Sequence, residues 1–271
     1  MSDIVLSAGV RSNLLQLQQT SDLITSTQTR LATGKRVNSA LDNPNNYFTA
    51  QGLDNRANDL SNLLDSQSTA INTINAANNG ISAITKLVQS AQSLVTQAQQ
   101  TSDTTVRASL ATQYGAILTQ ITQLAGDSGY NGTNLLNNNS LTLTLNETGT
   151  STATVAGVTD TSTGLSISAA ASSWAGATDI AAAATQLTAA LTTLQSQSAS
   201  LSSSLSTIQI RSDFTSAMIN TLQTGASALV AADSNEEGAN LLALQTQQSL
   251  STTALSLSAQ SDRNVLKLFG G

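Results

Sequence analysis

A heptad recurrence of apolar residues constrains this chain more than any other feature. The longest line, Ile180, Leu187, Leu194, Leu201, Ile208, Thr215, Leu222 and Leu229, keeps register over seven heptads. Leu191, Leu205 and Ile219 fall on the adjacent row, and Asp179 stands where a helix N-cap belongs. A second line runs Leu53, Leu60, Gln67, Ile74, Ile81, Val88 and Val95, interleaved with Ala57, Leu64 and Ile71. As one helix, Leu53 to Val95 would span ~63 Å at ~1.5 Å per residue. A third line, Val106, Leu110, Ile117, Ile121 and Leu124, opens after Ser102 and Asp103 and closes near Gly126 to Gly129. Near the N-terminus Val10, Leu17, Ile24 and Leu31 sit seven apart, with Leu14 between the first two. The C-terminal stretch reads Leu250, Ala254, Leu257, Ser261, Val265, Leu268 at spacings of four and three. Sustained heptads predict helices packed side by side at shallow angles.

Composition agrees with seams rather than a round core. Of 271 residues only 3% are aromatic and 10% are charged. Leu, Ile and Ala suffice for narrow helix–helix seams. There is no Cys and no His. That excludes disulfides, thiol nucleophiles, Ser-His-Asp triads, and zinc or copper sites built on imidazole or thiolate. Lys+Arg 10 against Asp+Glu 16 gives a net charge of −6, which argues against nucleic-acid partners. Asp54 with Asp59, and Glu236 with Glu237, read as solvated helix faces rather than catalytic pairs. Gly126, Gly129 and Gly132 lack the spacing and the Lys of a phosphate loop. The chain is therefore read as a non-enzyme with no cofactor and no metal. No apolar run approaches the ~20 residues of a membrane span. Met1 to Val10 lacks a basic n-region, so the protein is expected either to stay inside or to leave by a route without a cleaved signal.

Pro44, the only proline, separates the first two helices, with Asn43-Pro44-Asn45-Asn46 as the turn. The segment from about Tyr130 to Gly176 changes character. Leu141 to Leu145 and Ala153 to Val155 alternate strictly around a turn-like Asn146 to Ser151, which predicts a β-hairpin. Leu165-Ser166-Ile167 is expected to add a short strand. The whole is a mainly α protein: long antiparallel helices in a rod-like bundle, coiled-coil-like terminal helices and a small β-rich insertion. The terminal helices are polar even at seam positions (Ser21, Gln28, Gln247, Ser261). The C-terminal stripe has only the N-terminal stripe as an in-chain partner, so both are expected to draw further partners from other subunits.

Three stretches resemble the bacterial flagellins. Arg30 to Asn43, reading RLATGKRVNSALDN, is similar to the family's N-terminal signature. Tyr130-Asn131-Gly132-Thr133-Asn134-Leu135-Leu136 resembles its aromatic-Asn-Gly-x-x-Leu-Leu element. Ala231 to Phe269 carries Ala232-Asp233, Glu237, Ala239-Asn240 and the ending Asn264 to Phe269. The resemblance implies a subunit that polymerises into the helical flagellar filament for swimming motility. It is exported unfolded through a type III apparatus and located outside the cell. A hook–filament junction protein, which shares the terminal helices and export route, is the alternative. Implied partners are the chain itself, the export apparatus, an export chaperone, and the cap and hook-associated proteins.

The same resemblance implies a division of the chain. Residues 1–42 and 231–271 form inner-core helices, 43–139 and 177–230 the two parts of a helical rod domain, and 140–176 a reduced outer region. The stripe residues Val10, Leu14, Leu17, Ile24, Leu31, Leu250, Ala254, Leu257, Val265 and Leu268 then become the expected polymer interface. Arg30, Lys35 and Arg36 read on their own as a solvated face, and Asp233, Glu236 and Glu237 as favourable charges at a helix start. In the flagellin arrangement both clusters fall at the junction between inner and outer domains. Many flagellins are also sensed by a Toll-like receptor through a charged run, whose counterpart here, Val88 to Gln97, carries no charge. Weak activation is expected, since Ser and Gln do not replace an arginine's bidentate contacts.

Overall fold

The computed structural model describes residues 8–269, the side chains of 262 and 265–269 excepted. Its helices are α1 (Ala8–Thr33), α2 (Pro44–Gln100), α3 (Thr104–Asp127), α4 (Ala177–Val230) and α5 (Ser234–Phe269). Strands β1 (Leu141–Thr144) and β2 (Thr152–Val155) and a 3₁₀ turn at Ala171–Trp174 lie between α3 and α4. The chain forms two compact units, one holding residues up to Asn55 and from Thr221 on, the other Arg56–Asn220.

In the first unit α1 packs against α5. Val10, Thr20 and Thr27 of α1 are buried there, with Leu17 and Ile24 half-buried. Heptad positions therefore alternate between apolar and polar, and a threonine hydroxyl is tolerated because it bonds back to its own helix, as Thr20 does to the Gln16 carbonyl at 2.8 Å. On α5 the half-buried residues include Leu241, Leu244, Gln248, Ser251, Leu255 and Ser258. This corrects the sequence-based pairing of the two terminal stripes. Leu250, Ala254, Leu257 and Ser261 are exposed. Two stripes with the same three–four spacing run along α5, and spacing alone does not say which one meets α1.

The second unit holds most of the core. On α2 the line Gln67, Ile74, Ile81, Val88, Val95 is buried as the heptads require. The row beside it is Ala70, Ala77, Ile84, Ala91 and Ala98, all buried. Of the interleaved positions expected from the sequence, Ala57 is buried and Leu64 and Ile71 are half-buried. Small alanines let the packed helices approach closely, and Gly80 takes this to its limit. A Cβ there would lie 2.2 Å from the Ser128 hydroxyl and 2.7 Å from Leu136 Cδ1. The α4 line Ile180, Leu187, Leu194, Leu201, Ile208 and Thr215 is buried throughout. Its one polar member in this unit meets the polar member of the α2 line: Gln67 Nε2 donates to Thr215 Oγ1 at 3.3 Å, while Gln67 Oε1 is buried without a partner.

Side chains close the helix ends. Asp103 caps α3 by accepting from the Thr105 and Val106 amides at 2.8 and 3.4 Å. Arg107 donates to the carbonyls of Ala98, Thr101 and Ala175, tying the end of α2 to the chain entering α4. Asn134 donates to the Ala125 and Gly126 carbonyls, both at 2.8 Å, satisfying the C-terminal end of α3.

The insertion contains the expected hairpin, with Leu141 opposite Val155 and Leu143 opposite Ala153. Arg56 of α2 pairs with Glu147 in the hairpin loop. No strand forms at Leu165-Ser166-Ile167. The Leu165 and Ile167 amides bond to Thr161 and Ser162 carbonyls, and Ser166 is left-handed at φ 58°, so the segment satisfies its backbone locally as a turn. Both apolar residues still reach the core. Further on, Ser172, Ser173 and Trp174 are left-handed in succession, with φ of 48°, 52° and 61°. This turn costs backbone energy. It delivers Trp174 into full burial against Tyr114, ring centroids 4.9 Å apart. Burial pushes the Tyr114 hydroxyl up to about 12.

Candidate assembly surface

No group of three or more metal-ligating side chains occurs among the described residues, and no described helix is long and apolar enough to cross a membrane. What the first unit offers is surface. Leu14, Leu15, Leu23 and Leu31 on α1, and Leu242, Leu250 and Leu257 on α5, are exposed. Leu257 is 68% exposed and Leu250 66%. Isolated exposed leucines are ordinary, but a helix pair with this many is not. Of the stripe residues singled out from the sequence, Val10 is buried and Leu17 and Ile24 are half-buried toward α5. Leu14, Leu31, Leu250, Ala254 and Leu257 face away from it. The side chains of Val265 and Leu268 lie outside the described residues.

The charged residues cluster where α1 turns into α2 and α4 into α5, all within the first unit. Gly34 is left-handed at φ 66°, which a side chain would resist, and it reverses the chain. The Arg36 and Val37 amides then donate to the Val230 carbonyl at 2.7 and 3.3 Å, and the Ala232 amide donates to the Gly34 carbonyl at 3.0 Å. Lys35 bridges Ala231 through its backbone, and its side chain and that of Arg36 are exposed. Arg30 meets Glu237 at 3.4 Å, with Glu237 buried and Arg30 half-buried. Asp233 caps α5 by accepting from the Asn235 amide at 2.8 Å, and Glu236 follows in the first turn, where the helix dipole favours an acid.

Asp42, which the charge pattern alone did not single out, organises the loop between. It accepts from the Asn38 and Ser39 amides at 3.0 and 2.8 Å. The Ser39 and Asn38 amides hold its carboxyl below the usual range. Asn43 then accepts from the Asn46 amide at 3.0 Å, and Pro44 opens α2 at a position whose N–H would have no partner within the helix. The signature Arg30 to Asn43 is thus a purpose-built reversal, held by backbone and cap bonds.

A helical chain whose terminal helices pair in one unit, with leucines left facing solvent, offers a surface for association. Comparison with known proteins gives the family. Residues 8–142 match the bacterial flagellin N-terminal helical region, and residues 167–269 match the bacterial flagellin C-terminal helical region. The chain belongs to the bacterial flagellins, and it is a subunit of the flagellar filament. Among solved structures it is similar to the crystal structure of Bacillus cereus flagellin, at 18% identity and a TM-score of 0.49, covering 55% of this chain and 88% of that one. No curated protein matches it.

Proposed function

We propose that the subunit polymerises through the faces of α1 and α5 that do not meet each other. Leu14, Leu31, Leu250, Ala254 and Leu257 are the contact residues, continued by Val265 and Leu268, while Val10, Leu17 and Ile24 hold the pair together. The observation that carries this is the exposure of Leu250 and Leu257 on the flank of α5 turned away from α1. Residues 1–42 and 231–271 act as the inner core of the filament. Residues 43–139 and 177–230 form the rod domain around it, and 140–176 the outer region. Arg30, Lys35, Arg36, Asp233, Glu236 and Glu237 set the junction between inner and outer parts. Export in the unfolded state through a type III apparatus, escorted by a chaperone, delivers the subunit outside the cell, where cap and hook-associated proteins receive it. The chain has no catalytic role.

Seeded growth of the purified chain tests the reading. Long filaments are expected in electron micrographs, and Leu250→Ser with Leu257→Ser should abolish them while leaving monomer melting unchanged. Short caps that do not elongate would instead mark a hook–filament junction protein. Mass spectrometry of material sheared from cell surfaces locates the protein.

A further inference from the structure

The turn Tyr130-Asn131-Gly132-Thr133 lies outside the assembly surface, and its geometry bears on its own chemistry. The Tyr130 amide donates to the Thr133 carbonyl at 2.9 Å, and the Thr133 amide to the Tyr130 carbonyl at 3.0 Å. Between them both residues are left-handed, Asn131 at φ 47° and Gly132 at φ 79°. A two-residue loop with positive φ at both positions favours Asn-Gly, because asparagine tolerates that region better than most side chains and glycine enters it freely. The same dipeptide is reactive. The carboxamide carbon of an asparagine can close a five-membered ring with the amide nitrogen of the next residue, and a glycine has no side chain to screen that nitrogen.

Here the nitrogen is left available. The two turn bonds use Tyr130 and Thr133, and the Gly132 amide and the Asn131 carboxamide make no hydrogen bond among the described residues. Asn131 and Gly132 are exposed, and a Cβ on Gly132 would meet no atom within 4 Å. The sequence has one other Asn-Gly, Asn79-Gly80, in the opposite situation. It lies inside α2, where the Gly80 amide belongs to the helix ladder, and Gly80 is buried close to Ser128 and Leu136.

We propose that Asn131 is a site of spontaneous deamidation, a modification that the turn permits there and α2 forbids at Asn79. The Gly132 amide nitrogen gives up its proton and bonds to Cγ of Asn131. The Cγ–Nδ2 bond breaks, and Nδ2 takes a proton and leaves as ammonia. Water then adds to one of the two carbonyls of the resulting succinimide and breaks that carbonyl's bond to the Gly132 nitrogen, which regains its proton. Opening at Cγ gives aspartate. Opening at the main-chain carbonyl gives isoaspartate, with the chain rerouted through Cβ and Cγ. Either product adds a negative charge, and water is the one co-reactant. The isoaspartyl form also adds an atom to the main chain between Tyr130 and Thr133, so their two bonds no longer both close. The inference goes beyond the filament reading and does not rest on it.

The test follows the folded full-length chain in mildly alkaline buffer, with peptide mapping by mass spectrometry at successive times. The mass gain of an amide-to-acid exchange should appear at Asn131 at least about tenfold faster than at Asn79, a gap of ~1.4 kcal/mol, since the turn needs only local opening and the helix must lose its core packing. Isoaspartate, distinguished from aspartate by electron-transfer fragmentation, should be among the products. Conversion should quicken as pH rises, because the attacking nitrogen must lose its proton. In urea the two sites should react at similar rates. Asn131→Gln, which would have to close a larger ring, should keep its mass over the same period. If Asn131 stays intact, converts no faster than Asn79 in the folded chain, or yields aspartate without isoaspartate, the assignment is overturned. A gap that persists undiminished in urea overturns it as well, because the fold would then not be its cause.

Discussion

On the proposed interface, Leu257 serves assembly and Leu201 serves folding. Both are leucines on heptad stripes, but Leu257 is 68% exposed whereas Leu201 is 5% exposed. Truncating Leu257 to Ala removes methyl groups that are mostly in water already, so the isolated subunit should change by no more than ~0.5 kcal/mol. On the proposed interface the same side chain is covered in the polymer. Full burial of a leucine contributes roughly 1.5–3 kcal/mol, and about two-thirds of that is still available on assembly, so the loss is about 1–2 kcal/mol per subunit. Every subunit carries the change, and the critical concentration should rise about 5- to 30-fold. Leu201→Ala instead opens a cavity in the second unit and should cost ~2–5 kcal/mol of folding stability. At ~2–4 °C per kcal/mol for a unit of this size, its melting temperature should fall by roughly 5–15 °C. The assay is a pair of measurements on each variant, thermal unfolding of the monomer by circular dichroism and critical concentration in seeded growth. If Leu257→Ala lowers monomer melting as much as Leu201→Ala does, the division into assembly and folding residues is wrong.

Three further outcomes are expected. Asp160 is fully buried, and burial, partly offset by the neighbouring Gln197, pushes its carboxyl up to about 6 from 3.8. The folded chain thus holds the proton more tightly than the unfolded one, so stability should be gained as pH falls through 6, reach its full value below 3.8, and be absent above about pH 7. Asp160→Asn should flatten that dependence in melting curves between pH 5 and 7 and raise stability at neutral pH. Gly80→Ala should cost ~1–3 kcal/mol or more by forcing Ser128 and Leu136 away, seen as an earlier urea midpoint. A variant as stable as the parent would show that the contact relaxes freely. On α2 the run Val88 to Gln97 buries Val88, Ala91 and Val95 and exposes the uncharged Gln89, Ser90, Ser93, Thr96 and Gln97. Reporter cells should respond weakly to the monomer, and strong activation at low dose would refute this reading of the run.

Periodicity carried most of the helical architecture. The lines through Ile74, Val88, Leu194 and Ile208 needed only the spacing of residues with high hydropathy contrast. The row Ala70, Ala77, Ala91, Ala98 did not stand out, because alanine is common on every face of this chain and its burial depends on what approaches it. Gly80 reads in sequence as a tolerated helical glycine, and only the neighbouring turn at Ser128 gives it a reason. Trp174 reaches the core through three left-handed residues that no local pattern announces. The expected strand at Leu165 to Ile167 shows the opposite failure: alternation placed two apolar side chains correctly in the core, while a local turn satisfied their backbone. On the assembly surface, the exposed flank of α5 was visible as a stripe, but its direction depended on a competing stripe beginning at Leu241. Asp160, a lone acid in a Ser- and Thr-rich loop, left no sequence trace of its burial.

The hydrogen bond between Gln67 and Thr215 bears on length. Along α2 and α4 the seam is a pair of rulers with nearly identical marks every seven residues, and hydrophobicity alone would accept a shift of one mark with little complaint. Each ruler carries a flaw in this unit, a glutamine on one and a threonine on the other, and the two flaws coincide in a single alignment. Moved one mark in one direction, Gln67 would face Ile208; moved the other way, Thr215 would face Ile74. Either error strands buried polar atoms at a cost of ~1–3 kcal/mol each. It would also displace one helix along the other by ~10.5 Å. A single subunit could fold with that displacement, but a lattice of thousands must repeat at one spacing. The polar pair acts as the gauge block against which each copy is cut to the same measure before it joins the filament.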